Sequence, residues 1–261
     1  MYHRRTLLKR AATGVAGLPL ATVLADPLIA RAVAQELDTV TLTTPGGRSV
    51  SAALALPETT PAAAVLLIHE WWGLNDQIKS VANELANLGY VALAVDLMGG
   101  EVATTPDEAR ALTQSVVPEE ATETLTTWID WLKSHEATTG RIATMGWCFG
   151  GGWSIQASMA VPVDATIVYY GRVPDSPDAL ASLQSPVLGH FATQDGFIDA
   201  AMVNAWTNAM NAAEKSYTVH WYDADHAFAN PTGNAYDSAD ADLAWSRTLD
   251  FLSDHLSVEE G

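Results

Sequence analysis

Two uninterrupted apolar runs, A-V-L-L-I at 64–68 and V-A-L-A-V at 91–95, constrain the fold of this chain more than any other feature. A strand is apolar throughout when both of its faces are buried, as in a parallel sheet that helices cover on both sides. Between the runs, apolar residues recur at helical spacing and end at Gly89. The segment is therefore predicted to be one β-α-β unit.

The same alternation continues to the end of the chain. Further strands are predicted at 142–145, 165–169, 186–191 and 217–222, with helices before 142, after Gly150 and at the C-terminus. This pattern predicts an α/β fold, a doubly wound, mostly parallel sheet with helices on both faces. Around P-G-G at 45–47, the segments 39–42 and 51–56 are predicted to form a hairpin of edge strands. No linker is long or polar enough to divide the chain, so we expect one domain over residues 38–256.

The N-terminal segment, residues 1–34, is typical of an export signal rather than of a fold. R-R at 4–5 precedes a mildly apolar run, 11–25, that is too short and too rich in Ala, Gly and Thr to span a bilayer. The segment resembles a twin-arginine signal peptide, and A-V-A at 32–34 matches an A-x-A cleavage site. We expect a mature chain that begins near Gln35 and is exported, to the periplasm or the extracellular space, without a stable membrane anchor. The alternative is a frayed N-terminal helix.

The chain is strongly acidic. Its 13 Lys and Arg residues stand against 31 Asp and Glu residues, a formal charge of −18 that is spread along the sequence. Removal of residues 1–34 takes away five basic residues and one acidic residue, which leaves a mature charge of about −22. A field of this sign repels a phosphate backbone, and salt weakens its self-repulsion. We therefore expect no nucleic-acid partner and a surface that suits high salt.

The chain has one cysteine, Cys148, which excludes an intrachain disulfide and a multi-cysteine metal site. It lies in G-W-C-F-G at 146–150, directly between the predicted strand 142–145 and a helix. Glycines two residues before and after a nucleophile are typical of a tight strand-to-helix turn that holds it in strained backbone geometry. The helix N-terminus favours a thiolate and an oxyanion alike. By itself, the pentapeptide fits a buried, unreactive cysteine equally well.

Two other residues decide between these interpretations. Asp195 follows the predicted strand 186–191, and His226 follows the predicted strand 217–222. Functional groups of an open α/β sheet gather at the carboxyl ends of its strands, so Cys148, Asp195 and His226 are expected to lie together. The order nucleophile, acid, histidine along the chain is that of an α/β-hydrolase.

The sequence resembles the dienelactone hydrolase family over residues 38–256. The matching motifs are H-E-x-x-G at 69–73, G-x-C-x-G-G at 146–151, Y-Y-G at 169–171, the aspartate of the turn 192–196 and H-A-F at 226–228. The resemblance implies the α/β-hydrolase fold. It also implies a role for six residues: Cys148 as nucleophile, His226 as its base, Asp195 as the residue that orients His226, Glu70 as a carboxylate that helps to activate the thiol, and the backbone N–H groups of Trp71 and Phe149 as the oxyanion hole. For Glu70, the alternative is a solvated acid at a strand end.

These roles predict a hydrolase of small esters or lactones. The thiol attacks the carbonyl, the oxyanion hole holds the tetrahedral oxyanion, and water hydrolyses the acyl-thioester with His226 as base. No metal or organic cofactor is required, and we expect a monomer with a small-molecule substrate. Two alternatives remain open: a Cys-dependent peptidase or thioester-handling enzyme on the same fold, and a non-catalytic thiol-bearing protein that binds ligands or senses redox state.

Four residues are expected to contact the substrate: Trp72, Tyr170, Arg172 and Asn230. Family members that act on the anionic dienelactone have a carboxylate-binding arginine four residues beyond the histidine, where this chain has Asn230. Since Asn offers neutral hydrogen bonds only, uncharged esters or lactones are expected to be at least equally good substrates. Arg110 and Arg172 are the arginines of the mature chain expected near the cleft, and Arg172 is the better candidate to compensate.

The remaining conspicuous side chains have simpler explanations. The tryptophans at 71, 72, 147 and 153 form an apolar substrate wall, or at least two of them pack in the core. His69 and His190 are expected to be packed or hydrogen-bonded, because no carboxylate or cysteine lies at metal-ligand spacing from them.

Overall fold

A computed structural model describes residues 37–257, so the predicted signal segment lies outside the described residues. Within this range, strands and helices alternate. The strands are β1 (Asp38–Thr43), β2 (Ser49–Ala55), β3 (Ala62–Ile68), β4 (Val91–Val95), β5 (Thr138–Trp147), β6 (Ala165–Tyr169), β7 (Val187–Ala192) and β8 (Tyr217–Tyr222). The helices are α1 (Asp76–Asn87), α2 (Pro106–Ser115), α3 (Pro118–Ser134), α4 (Phe149–Ala160), α5 (Pro177–Leu180), α6 (Ala200–Ala212) and α7 (Ser238–Leu256).

The strands form one eight-stranded sheet in the order β1-β2-β4-β3-β5-β6-β7-β8. From β4 to β8 the neighbouring strands are parallel, as predicted, and β1 and β2 join antiparallel at one side. The predicted hairpin is confirmed, and Gly47 gives its turn a φ of +84° that suits glycine. The prediction that both of its strands are edges is wrong for β2, because β2 also pairs with β4.

Alternate residues of the central strands enter cores on opposite faces of the sheet. In β3, Val65 and Leu67 pack with α1 and α7, whereas Leu66 and Ile68 pack with α3. Near β7, helices α4 and α6 cover the same face of the sheet as α3 does. The two-sided burial explains why the strand runs are apolar throughout, and it confirms the doubly wound arrangement.

The sequence-based prediction missed α2 and α6. The first buries a single residue, Ala109, and so has no clear apolar stripe, whereas the second is rich in Ala and Asn but does carry Val203, Trp206 and Met210 at helical spacing. The available signal for α2 was its capping box, in which Thr105 and Glu108 satisfy each other's backbone N–H groups. Within residues 37–257, no helix is long and apolar enough to cross a membrane.

Candidate active site

Cys148 forms the turn between β5 and α4. Its backbone has φ 53° and ψ −116°, a conformation that is costly for a residue with a side chain and is found mainly at functional sites. Its N–H donates to the Tyr169 carbonyl at 3.0 Å. A Cβ at Gly146 would lie 2.0 Å from the Gly150 carbonyl oxygen, and a Cβ at Gly150 would lie 2.2 Å from the Ile68 carbonyl oxygen. Both glycines of the motif are therefore required by close backbone contacts.

Two backbone segments meet beside the cysteine. Phe149 is the first residue of α4, so its N–H has no acceptor within the helix. Trp71 lies in the segment after β3, where Gly73 has φ +89° and a Cβ would lie 2.3 Å from the Glu101 carbonyl oxygen. Trp71, Phe149 and Cys148 line one cavity. This placement is compatible with the predicted oxyanion hole.

Asp195, after β7, is hydrogen-bonded to His226, after β8. His226 Nδ1 lies 2.6 Å from Asp195 Oδ2. The other carboxylate oxygen, Oδ1, accepts hydrogen bonds from the backbone N–H groups of Phe197 at 2.7 Å and Ile198 at 2.9 Å. Burial opposes ionisation of this carboxyl, but the hydrogen bonds outweigh it and hold the pKa of Asp195 below its ordinary value. At neutral pH, the imidazole therefore faces a fixed, ionised carboxylate.

His226 connects this carboxylate to Cys148. Burial disfavours the imidazolium, yet hydrogen bonding to Asp195 and Cys148, together with their negative charges, raises the pKa of His226 to about 10. The surroundings of the ring therefore favour the imidazolium. The structure thus brings the three residues predicted as nucleophile, base and orienting acid into one row, in which Asp195 is hydrogen-bonded to His226 and Cys148 lies on the same cavity wall as the imidazole.

Glu70 lies beside this row and is buried, which excludes the alternative of a solvated strand-end acid. The Tyr170 hydroxyl donates to Glu70 Oε1 at 3.3 Å, and Asn230 Nδ2 donates to Glu70 Oε2 at 2.5 Å. Burial raises the pKa of Glu70. The hydrogen bond from Asn230, the positive charge of His226 and the hydrogen bond from Tyr170 oppose this rise. In this arrangement the carboxyl group is directed to Tyr170 and Asn230.

Asn230 and Tyr170, both predicted as substrate contacts, line the cavity and also support Glu70. Asn230 Oδ1 accepts from the N–H and the hydroxyl of Thr232, at 2.9 and 2.7 Å, so its NH₂ group faces Glu70. Tyr170 has φ 38°, and its ring centroid lies 5.2 Å from that of His226. The residue that replaces the family's arginine is therefore part of a fixed hydrogen-bond network.

The cavity beside Cys148 has a volume of about 730 Å³. Its aromatic lining residues are Trp71, Trp72, Phe149, Trp153, Tyr170 and Phe197. Three of the four tryptophans considered above thus face the cavity, whereas Trp147 is buried and stacks on Tyr169 at 5.5 Å. Three tryptophans therefore form an apolar wall of the cavity, and Trp147 packs in the core.

The two arginines expected near the cleft differ in position. Arg172 lines the cavity, as predicted. Arg110 does not, because its side chain extends into solvent and pairs with Asp107 at 3.3 Å on the exposed helix α2. Sequence reasoning also missed Phe197, although an aromatic residue two positions after Asp195, within a turn, was a usable signal.

His69 and His190 are buried and hydrogen-bonded, as expected. Both ring nitrogens of His69 face backbone groups, and those of His190 face the hydroxyls of Tyr222 and Thr248. Burial lowers the pKa of both imidazoles, so they are neutral. Over the described range 37–257, no group of three or more His, Cys, Asp or Glu side chains is placed to hold a metal ion.

A cysteine at the sharp turn after β5, a carboxylate after β7 and a histidine after β8 of a doubly wound sheet define the α/β-hydrolase class. The model of the dienelactone hydrolase family matches residues 50–256. The chain therefore belongs to the dienelactone hydrolase family, and it is a hydrolase of the ester and lactone class.

Individual relatives agree with this assignment. A Saccharolobus solfataricus protein named "Putative carboxymethylenebutenolidase" is 33% identical over 79% of this chain and 94% of its own length. A carboxymethylenebutenolidase of Pseudomonas putida is 26% identical over 79% of this chain and 92% of its own length. The crystal structure of a dienelactone hydrolase-like promiscuous phosphotriesterase from metagenomic libraries superposes with a TM-score of 0.77, at 21% identity, over 85% of this chain and 99% of its own. This last similarity demonstrates a shared fold.

Proposed function

We propose that the protein is an exported hydrolase of small, uncharged esters or lactones, with Cys148 as nucleophile, His226 as general acid and base, and Asp195 as the residue that orients His226. The observation that carries the proposal is the Asp195–His226 hydrogen bond on the wall of an aromatic cavity that Cys148 also lines, at a strained turn.

Acylation begins with a protonated imidazole at His226, which lines the same cavity as Cys148. The thiolate attacks the substrate carbonyl, and the carbonyl electrons move to oxygen, where the N–H groups of Trp71 and Phe149 hold the oxyanion. When the oxyanion collapses, His226 gives its proton to the leaving oxygen, and an acyl-thioester remains on Cys148.

Deacylation requires His226 to become a base, and acylation itself produces this change. A thioester sulfur carries no negative charge, so one of the causes that raise the pKa of His226 disappears when the acyl-enzyme forms. The ring then takes a proton from the attacking water and keeps it while the sulfur leaves as the thiolate, which restores the state from which acylation began. Glu70 in its ionised form assists the first half-reaction, because a negative charge near His226 favours the imidazolium.

The structure of the cavity supports an uncharged substrate. The names of the relatives point to a lactone or ester, but Asn230 presents its amide to Glu70 and brings no positive charge. With a mature charge of about −22, the surrounding field disfavours anions at low salt. Among the arginines of residues 37–257, Arg172 is the one that lines the cavity.

We expect uncharged lactones and aryl esters to give kcat/KM at least equal to that for the anionic dienelactone. Steady-state kinetics of the mature protein on both kinds of substrate, at low and high salt, is the measurement. The matched variants are Arg172→Ala, at the cavity, and Arg110→Ala, in solvent. A preference for dienelactone of tenfold or more that disappears in Arg172→Ala, but not in Arg110→Ala, would contradict the proposal.

Export rests on the twin-arginine pattern of residues 1–34. Mass spectrometry of secreted or periplasmic protein is expected to find an N-terminus near Gln35, and replacement of the arginines 4 and 5 by lysine is expected to retain the precursor inside the cell. Full-length protein in the cytoplasm of cells carrying the natural sequence would refute export.

A further inference from the structure

Phe197 has an unusual combination of exposure and position. It is 75% exposed, more than any other large apolar side chain of residues 37–257. It also lines the cavity and meets the His226 ring edge-on, with the ring centroids 5.4 Å apart. An aromatic ring that stays in water adds little to the core. Because Phe197 lines the cavity beside the imidazole, a ligand in the cavity would contact it.

The backbone holds Phe197 in this place. The carboxylate oxygen of Asp195 that does not face His226 accepts hydrogen bonds from the N–H groups of Phe197 and Ile198. Asp199, the residue after Ile198, caps α6 by accepting a hydrogen bond from the Met202 N–H at 2.8 Å. One carboxylate therefore positions both the imidazole and the loop that carries the phenyl ring.

The position of Phe197 identifies the part of the substrate that it can contact. During acylation, His226 gives its proton to the leaving-group oxygen, so the atoms attached to that oxygen must lie next to the imidazole. Two aromatic rings flank the imidazole: Tyr170, which is fully buried and bonded to Glu70, and Phe197, which is exposed. The open side of the imidazole is therefore the side of Phe197.

On the basis of the proposed hydrolase function, we propose that Phe197 forms a leaving-group subsite that selects esters whose alcohol part carries an aromatic or bulky apolar group. The cavity of about 730 Å³ exceeds what a small lactone ring needs and falls in the range of drug-sized ligand sites. Stacking of the alcohol part on Phe197 removes apolar surface of both rings from water and aligns the leaving oxygen with His226.

Two isomeric esters distinguish a leaving-group subsite at Phe197 from a general contribution of Phe197 to activity. Benzyl acetate carries its phenyl ring in the alcohol part, methyl phenylacetate carries it in the acyl part, and methyl acetate carries none. For Phe197→Ala, kcat/KM is expected to fall about tenfold on benzyl acetate, mainly through KM, and to change less than about twofold on the other two esters. Phe197→Leu should retain part of the preference, and Leu243→Ala, an exposed apolar residue on α7 outside the cavity, should retain all of it.

Each contrary result has a distinct meaning. Equal losses on all three esters would overturn the subsite, because the ring would then only support His226. A loss confined to methyl phenylacetate would also overturn it and assign Phe197 to the acyl side. If the wild-type protein turned over none of the three esters and no member of the lactone panel, the proposed function itself would fall, and the subsite with it.

Discussion

Replacement of Cys148 by alanine is expected to lower kcat at least about a thousandfold on every ester or lactone that the wild-type protein hydrolyses. Without the sulfur no acyl-enzyme forms, and water would have to attack the substrate directly with help from the oxyanion hole alone. Turnover by the wild-type and variant mature proteins, measured on the best substrate of the panel, tests this. A variant that keeps more than about a tenth of the wild-type rate would remove Cys148 as the nucleophile.

The same variant offers a control that does not depend on turnover. The smaller side chain of alanine fits at the turn, so the thermal unfolding midpoint of the variant is expected to stay close to that of the wild type. The pKa of His226, measured by NMR titration of its ring protons, is expected to fall below about 10. Cys148 and Asp195 both raise this pKa in the wild type, and only Asp195 remains in the variant. An unchanged imidazole pKa would mean that sulfur and ring do not interact.

The sheet and the row of three side chains were predictable because each depends on local sequence. Strands buried on both faces leave apolar runs, such as 64–68 and 91–95, and the chain order of a doubly wound sheet brings the ends of those strands together. The glycines at 146 and 150 were informative for the same reason, since backbone contacts at the turn exclude any side chain there.

Other features depend on tertiary contacts that no local pattern records. β2 resembles an edge strand but becomes internal because β4 pairs with it. Asn230 lies in a loop, and its role follows from meeting Glu70, which is 160 residues away in the chain. Phe197 resembles a surface residue of a turn until Asp195 is known to hold its backbone beside His226. Long-range pairing of this kind becomes visible only in the folded chain.

Replacement of Asp195 by asparagine is expected to lower kcat by about 10³–10⁴-fold, the size of loss that follows when the orienting carboxylate of a Ser-His-Asp hydrolase becomes an amide. The asparagine oxygen can keep the hydrogen bonds from Phe197 and Ile198, which leaves the NH₂ group facing His226 Nδ1. The ring must then accept at Nδ1 and carry its proton on Nε2, the wrong tautomer for a base that faces Cys148. Steady-state kinetics on the best substrate measures the loss.

The pH dependence provides a second test of the same change. In the wild type, kcat/KM is expected to fall as pH rises through about 10, because deprotonated His226 has no proton for the leaving group. Loss of the negative charge at 195 lowers the pKa of the imidazolium, so the residual activity of Asp195→Asn should fall at a lower pH than that of the wild type. Asp199→Asn is the matched control, because asparagine caps α6 as well as aspartate does and the residue contacts neither His226 nor Cys148. If Asp199→Asn, rather than Asp195→Asn, reproduced both the loss of kcat and the shifted alkaline limb, the orienting acid would be Asp199.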